Sequence, residues 1–183
     1  MKTSYGETTL SNGPGAFGHA LILADGPLDL TWHHAGTTSE FIGEFYALSS
    51  AALSLDANEA RHSIGYLVNE LLENAVKFRH PGDISISTSI EDGRFEIKVS
   101  NLVSRETADR FRPLLEEITT RDPGELLIER IEANAEDASS SASGLGLLTL
   151  MSDYGASLGW EFRQEESNKA AVRLDTFAAL TLS

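Results

Sequence analysis

The chain has 183 residues, no cysteine and a formal net charge of −14. This length is enough for one sizeable hydrophobic core, and the lack of cysteine excludes disulfides and thiolate metal sites. The negative charge argues against a nucleic acid or an anionic membrane as partner, because both are themselves anionic.

The first residues predict no targeting segment and little structure. Residues 1–18 are polar and rich in glycine, and they lack the apolar core of a signal peptide. No apolar run approaches the length needed to cross a bilayer. We therefore expect a cytoplasmic protein with a flexible lead-in over residues 1–18 and a single domain over residues 19–183.

The elements after the lead-in are predicted to be a hairpin and two helices. Residues 19–23 and 28–32 are apolar runs on either side of the turn Ala24-Asp25-Gly26-Pro27. Apolar residues at helical spacing predict a first helix over residues 39–53. Asp56, with Glu59 three residues later, forms a capping box that opens a long helix over residues 57–78.

The remaining pattern predicts two more hairpins and, between them, a helical segment. Alternating apolar and polar residues indicate strands, which are paired in sequence as 84–90 with 95–101 and 157–163 with 170–177. Amphipathic helices are predicted over residues 104–119 and from Asp122 onward. Segregated helices and hairpin-linked strands indicate an α+β fold, a two-layer α/β sandwich with an added N-terminal β-hairpin and helix.

Three polar side chains on the long helix form the first candidate site. Glu70, Asn74 and Lys77 stand at positions i, i+4 and i+7, so they share one face of the helix. The neighbouring face is apolar and would pack on the core. The three side chains suit a Mg²⁺-nucleotide: the Asn oxygen ligates the metal, Lys meets a phosphate and Glu orients water or a hydroxyl.

A glycine pair about seventy residues downstream forms the second candidate site. In the run Ser143-Gly144-Leu145-Gly146, the glycines let backbone N–H groups approach phosphates where a helix begins. Residues 133–143 before it are polar, Ser-rich and nearly free of large apolar side chains. Such a segment suits a lid that orders over phosphates.

In this order the two motifs resemble the N box and the second glycine box of the GHKL (Bergerat-fold) ATP-binding superfamily, whose members share a histidine-kinase-like ATPase fold. The resemblance covers roughly residues 57–178 and implies a nucleotide lid at about residues 102–143. Glu70 together with Asn74 is more similar to the anti-sigma-factor, gyrase and MutL branches than to sensor histidine kinases. The resemblance implies ATP or ADP with Mg²⁺ as ligand, Glu70 as catalytic base, and Asn74 as metal ligand. It also implies nucleotide contacts from Lys77, Ser143, Gly144, Leu145 and Gly146.

One motif of the superfamily is absent. Its first glycine box, Asp-x-Gly-x-Gly, would follow the strand at residues 95–100, but the chain continues as Asn101-Leu102-Val103-Ser104-Arg105. Asn101 stands at the position of the adenine-reading Asp, and its carbonyl can accept a hydrogen bond from an adenine amino group. This pattern most resembles the SiaB-type group of bacterial regulators, a divergent branch of the superfamily.

Two functions are compatible with these motifs, and the resemblance implies the first of them. In the first, the protein binds ATP and Mg²⁺ and phosphorylates Ser or Thr on a small signalling protein, or sequesters that partner. In the second, ATP chemistry has been lost and the pocket of a sensor module binds another adenine-bearing cofactor such as FAD. The retained Glu–Asn pair favours the first function, and the missing glycine box favours the second. A homodimer through the first helix is a further expectation.

Overall fold

The structure is a computed structural model that describes residues 2–13, 16–26, 29–52, 56–136, 144–164 and 170–182. Its strands form one six-stranded antiparallel sheet in the order β1-β5-β6-β4-β3-β2. The strands are β1 (Lys2–Gly6), β2 (Phe17–Leu23), β3 (Ile84–Glu91), β4 (Arg94–Ser104), β5 (Ser157–Gln164) and β6 (Ala171–Thr181). The helices are α1 (Trp32–Ala52), α2 (Ala57–Phe78), α3 (Arg105–Thr120), α4 (Pro123–Glu136) and α5 (Leu145–Ser152).

The helices lie on one face of the sheet because apolar and polar residues alternate along the strands, which makes one face apolar. In β3, Ile84, Ile86 and Ile90 are buried, while Ser85 and Ser87 on the opposite face are exposed. The hairpins β3–β4 and β5–β6 have the pairing predicted from the sequence. The α+β class is confirmed, with helices and an antiparallel sheet in two layers.

Local capping signals account for where several helices begin. The Asp56 carboxylate accepts hydrogen bonds from the backbone N–H groups of Asn58 (2.8 Å) and Glu59 (3.1 Å), which caps α2 as predicted. The Ser104 hydroxyl caps α3 in the same way. The predicted helices at residues 57–78 and 104–119 are therefore confirmed within a residue.

The predicted N-terminal hairpin is wrong. Strand β2 pairs with β3, which lies more than sixty residues later in the sequence, and Trp32 is the first residue of α1. The first helix therefore begins seven residues before the predicted start at Ser39. The apolar side chains Leu21 and Leu23, which suggested a hairpin, lie in register with Ile86 and Ile84 of β3.

The lead-in also has more structure than its composition predicts. Strand β1 pairs with β5 at one edge of the sheet, and β2 lies at the other edge. Residues 11–13, which precede β2, lie on the face that the helices leave open. There the buried Glu96 carboxylate accepts hydrogen bonds from the backbone N–H groups of Ser11 (2.9 Å) and Asn12 (3.0 Å). The segment is polar because its contacts are with a polar sheet face.

The described helices do not meet the requirements of a membrane span. None of them is at once long enough and apolar enough to cross a bilayer.

Candidate functional site

The site begins on α2, whose apolar stripe fixes the direction of its polar face. Leu67, Val68, Leu71 and Leu72 are buried in the core, so the helix cannot rotate without exposing them. As a consequence, Glu70 and Asn74 are held half-buried at the edge of the core. They lie one turn apart, which places a carboxylate and an amide oxygen on the same side of the helix.

The glycine pair meets this face at the start of α5. Gly144 is the N-cap residue and has φ +90°, a left-handed conformation that glycine adopts readily. Gly146, in the first turn of α5, lies directly against Glu70: a Cβ placed on Gly146 would overlap the Glu70 carboxylate. The two sequence motifs, about seventy residues apart, are therefore in contact.

A small apolar cavity lies beside this contact. Its volume is about 50 Å³, room for only a few water molecules. Asn74, Asn101, Thr176 and Gly144 contribute its polar atoms. The apolar lining comes from α2, α3 and the sheet and includes Leu71, Ala75, Phe111, Leu114, Trp160 and Leu174.

Helix α3 forms the outer wall of the cavity. Phe111 packs edge-on against Phe78 at the end of α2, with 4.8 Å between the ring centroids. Leu114 and Leu115 follow on the same side of α3. Helix α3 therefore belongs both to the segment predicted as a lid and to the lining of the cavity.

The environment of Glu70 favours its protonated form. Burial raises the pKa of the Glu70 carboxyl above its usual range, and the negative charge of Glu73 raises it further. A carboxylate with a raised pKa is a better proton acceptor near neutral pH than an ordinary one. A raised pKa is one of the properties that a general base requires.

Tyr66 adds an aromatic group beside Glu70. It stands one turn before Glu70 on α2 and stacks on Tyr154 with 5.0 Å between ring centroids. Burial raises the pKa of the Tyr66 hydroxyl, and the Glu70 carboxylate adds to the shift, while a hydrogen bond with Thr149 of α5 opposes it. A single tyrosine on a helix face forms no motif, so Tyr66 could not be predicted as a site residue from its sequence context.

The other predicted site residues differ in their placement. Asn101 lies within β4 in register with Leu174, is 2% exposed and lines the cavity, and its Nδ2 donates to the Leu102 carbonyl. Lys77 is exposed and does not line the cavity; its Nζ lies 5.1 Å from the centroid of the neighbouring Phe78 ring. Leu145 begins α5 and is half-buried. Ser143 is outside the described residues.

The oxygen atoms of the site fit a magnesium ion that takes most of its ligands from phosphate and water. Among the described residues there is no group of three or more His, Cys, Asp or Glu side chains placed to hold a metal. Mg²⁺ in nucleotide sites usually takes one or two protein oxygens and completes its shell with phosphate and water. The Asn74 amide oxygen, half-buried at the cavity, fits that role.

Comparison with known proteins supports the fold. No protein-family model matches the sequence, and no curated protein matches it. The structure is similar to a chain in the crystal structure of the SiaB–SiaC complex from Pseudomonas aeruginosa, with a TM-score of 0.62 and 16% sequence identity. The match covers 87% of this chain and 89% of that chain. At this identity, the likeness establishes a shared fold.

Proposed function

We propose that the protein is a signalling regulator that binds an adenine nucleotide with Mg²⁺ at the junction of α2 and α5. The observation that carries this proposal is the contact of Glu70 with Gly146 beside a cavity that Asn74 and Asn101 line. A carboxylate with a raised pKa, a half-buried amide and a helix N-terminus converge there. Groups of these kinds occur in phosphoryl-transfer sites.

Each residue has a role in this proposal. Asn74 supplies an oxygen to the metal, which neutralises charge on the phosphates when it is bound. Glu70 accepts the proton of an attacking hydroxyl or water at its carboxylate. The backbone N–H groups at the start of α5 face the phosphates, and Gly146 leaves room for Glu70 beside them. Asn101 accepts a hydrogen bond from the adenine amino group. Contacts from Lys77, Leu145 and Ser143 stay predictions.

The cavity must enlarge before a nucleotide enters. A volume of about 50 Å³ does not hold an adenine ring with its ribose. The side chains of Phe111, Leu114 and Leu115 on α3 occupy the outer side, so outward movement of α3 is the simplest way to make room. We therefore include a lid movement of α3 in the proposal.

A protein partner completes the proposal. The similar structure is described as a complex of SiaB with SiaC, and the fold likeness supports a regulator of the SiaB or anti-sigma type. Membership of the GHKL superfamily and a cytoplasmic location are parts of the same proposal. The regulator either phosphorylates Ser or Thr on its partner or sequesters the partner.

Replacing Glu70 with Gln tests the proposed base. We expect Glu70→Gln to leave ATP affinity within about 3-fold of the wild type and to lower phosphoryl transfer or ATP hydrolysis about 100-fold or more. It should also raise the melting temperature at neutral pH. The folded protein holds the Glu70 proton to a higher pH than the unfolded chain does, so ionisation above that pKa costs folding free energy.

The matched control is Glu59→Gln, which removes an exposed carboxylate from the first turn of the same helix. ATP turnover, calorimetric titration and thermal unfolding are measured for both variants. Equal turnover in the two variants would contradict a catalytic role for Glu70, and a loss of ATP binding in Glu70→Gln alone would make it a structural residue.

Asn101→Asp tests whether the side chain at position 101 recognises adenine. A carboxylate accepts a stronger hydrogen bond than an amide, so ATP should bind about 10-fold more tightly. The free protein should become less stable, because the new charge is buried among apolar side chains. Calorimetry and thermal unfolding with and without ATP measure both effects. Unchanged or weaker ATP binding would show that Asn101 does not contact adenine.

One structural observation favours the second candidate, a sensor module that binds another adenine-bearing cofactor such as FAD. Strand β4 continues through Asn101 to Ser104 and passes directly into α3, so no glycine loop intervenes. A pocket without that loop has a different shape from an ATP site. A flavin absorbance band in the purified protein would support FAD as the ligand and would contradict the assignment of ATP.

A further inference from the structure

Arg130 places a positive charge at the start of α5. It lies on α4, and a Cβ placed on Gly144 would be 3.0 Å from its Nη1 atom. The same Cβ position is 3.5 Å from Leu114 of the cavity wall. The Arg130 side chain is 20% exposed. Its guanidinium is thus packed beside Gly144, close to Leu114 of the cavity wall.

This position brings two positive features together. The N-terminus of α5 carries the partial positive charge of the helix dipole, and its N-cap residue, Gly144, has no side chain that could accept from the first N–H groups. A guanidinium beside it adds a full positive charge. An anion at this point would be stabilised by the helix N-terminus and by Arg130 at once.

In the structure, Arg130 is paired with Glu117 of α3. The Oε2 atom of Glu117 lies 2.7 Å from Nη2 of Arg130. Glu117 also pairs with Arg121 at 3.3 Å through its other oxygen. If Arg130 moved to another anion, Glu117 would keep the ion pair with Arg121, which makes the exchange of partners inexpensive.

We propose that Arg130 contacts the phosphates of the bound nucleotide and that Glu117 holds Arg130 in place while the site is empty. This inference rests on the proposed function, whose site it extends by one residue. Glu117 belongs to α3, the outer wall of the cavity, and Arg130 to α4. Transfer of Arg130 from Glu117 to a phosphate therefore removes a link between α3 and α4 as the nucleotide binds.

The experiment compares ATP with adenosine, which has no phosphate, by calorimetric titration in the presence of Mg²⁺. We expect Arg130→Ala to weaken ATP binding about 10- to 100-fold, as for a charge-assisted hydrogen bond, and to change adenosine binding less than about 2-fold. The matched control is Arg121→Ala, which removes the other cation paired with Glu117 but is not among the atoms nearest Gly144. It should change ATP affinity less than about 3-fold.

A second variant protects the test against misfolding of the first. Glu117→Gln removes the ion pair between Glu117 and Arg130, so ATP should bind about 2- to 5-fold more tightly, the range expected for loss of a competing surface ion pair. Adenosine binding should stay the same. A purely structural role for Arg130 predicts equal losses for ATP and adenosine.

The outcomes separate the two proposals. Wild-type protein that binds neither ATP nor adenosine contradicts the proposed function itself. Wild-type protein that binds ATP, with equal effects of Arg130→Ala and Arg121→Ala or weaker ATP binding in Glu117→Gln, overturns the role of Arg130 alone.

Discussion

Replacing Asn74 with Ala should weaken ATP binding in the presence of Mg²⁺ by roughly 100-fold, since loss of a metal ligand costs at least as much as loss of an outer-shell contact. Asn74 lines the cavity one turn from Glu70 and offers the amide oxygen that suits Mg²⁺. Ala has no such oxygen. The wild type should bind ATP more tightly with Mg²⁺ than with EDTA, whereas the variant should show the same weak affinity in both.

Asn69→Ala is the matched control for this prediction. Asn69 is also a half-buried asparagine of α2, but its Nδ2 donates to Glu73 (2.9 Å), away from the cavity lining. Its replacement should leave the effect of Mg²⁺ on affinity intact. Titration calorimetry of both variants decides the matter: a full magnesium effect in Asn74→Ala would remove Asn74 as the metal ligand.

The second large effect concerns stability and comes from Asp175 in β6. This carboxylate is 1% exposed and pairs with Lys98 (3.1 Å) and with Arg163 on the open face of the sheet. Its neighbours in sequence, Leu174 and Thr176, line the cavity on the opposite face. The ion pairs of Asp175 therefore help to hold the strand that forms part of the cavity wall.

Asp175→Ala should lower the free energy of unfolding by about 2–3 kcal/mol, because it removes the buried partner of Lys98 and one of the two carboxylates paired with Arg163. Both cations are partly exposed, which keeps the loss below that of a fully buried pair. For a chain of this size the melting temperature should fall by roughly 5–10 °C. Asp109→Ala, which breaks an exposed ion pair with Arg112, should change stability by less than about 0.5 kcal/mol.

The Asp175 carboxylate also makes the stability of the protein depend on pH. Burial acts to raise the pKa of Asp175, but hydrogen bonds from Ser100, Lys98 and Arg163 and the positive charge of Lys98 outweigh it, so the pKa lies below its usual value. The folded state then binds fewer protons than the unfolded state in acid. Stability from Asp175 is complete above the ordinary Asp pKa and is lost as the pH falls toward the lowered one.

Urea unfolding at several pH values between neutral and strongly acidic measures this slope. Asp175→Ala should flatten it, while Asp109→Ala should not. A wild-type slope that persists unchanged in Asp175→Ala would assign the acid sensitivity to another carboxylate, with Glu96 as the first candidate, because its pKa is also lowered by hydrogen bonds that overcome its burial.

Local chemistry explains which elements the sequence predicts well. The capping box at Asp56 and Glu59 lies within four residues, and the β3–β4 hairpin turns at Asp92 and Gly93, both of which have positive φ. In each case the interacting groups are neighbours in the chain. Their residue types therefore carry the information without the rest of the fold.

Distant pairing explains where the sequence misleads. Strands β1 and β2 find their partners in β5 and β3, and Glu96 binds backbone groups about 85 residues away. The pattern of apolar and polar residues in 1–32 does not indicate which strands these segments pair with. A polar run that contacts a polar sheet face has the same composition as a loose loop, so the prediction for the lead-in failed for a physical reason.

The candidate site, too, is partly predictable from the sequence and partly determined by the tertiary structure. Helical periodicity alone determines that Glu70 and Asn74 share a face and that the apolar stripe beside them turns this face toward the edge of the core. Only the tertiary structure places Gly146 against Glu70, buries Glu70 enough to raise its pKa, leaves Lys77 exposed and brings Arg130 to Gly144. Burial and approach depend on the packing of helices far apart in the chain, and a sequence pattern reports only which residues are neighbours along it.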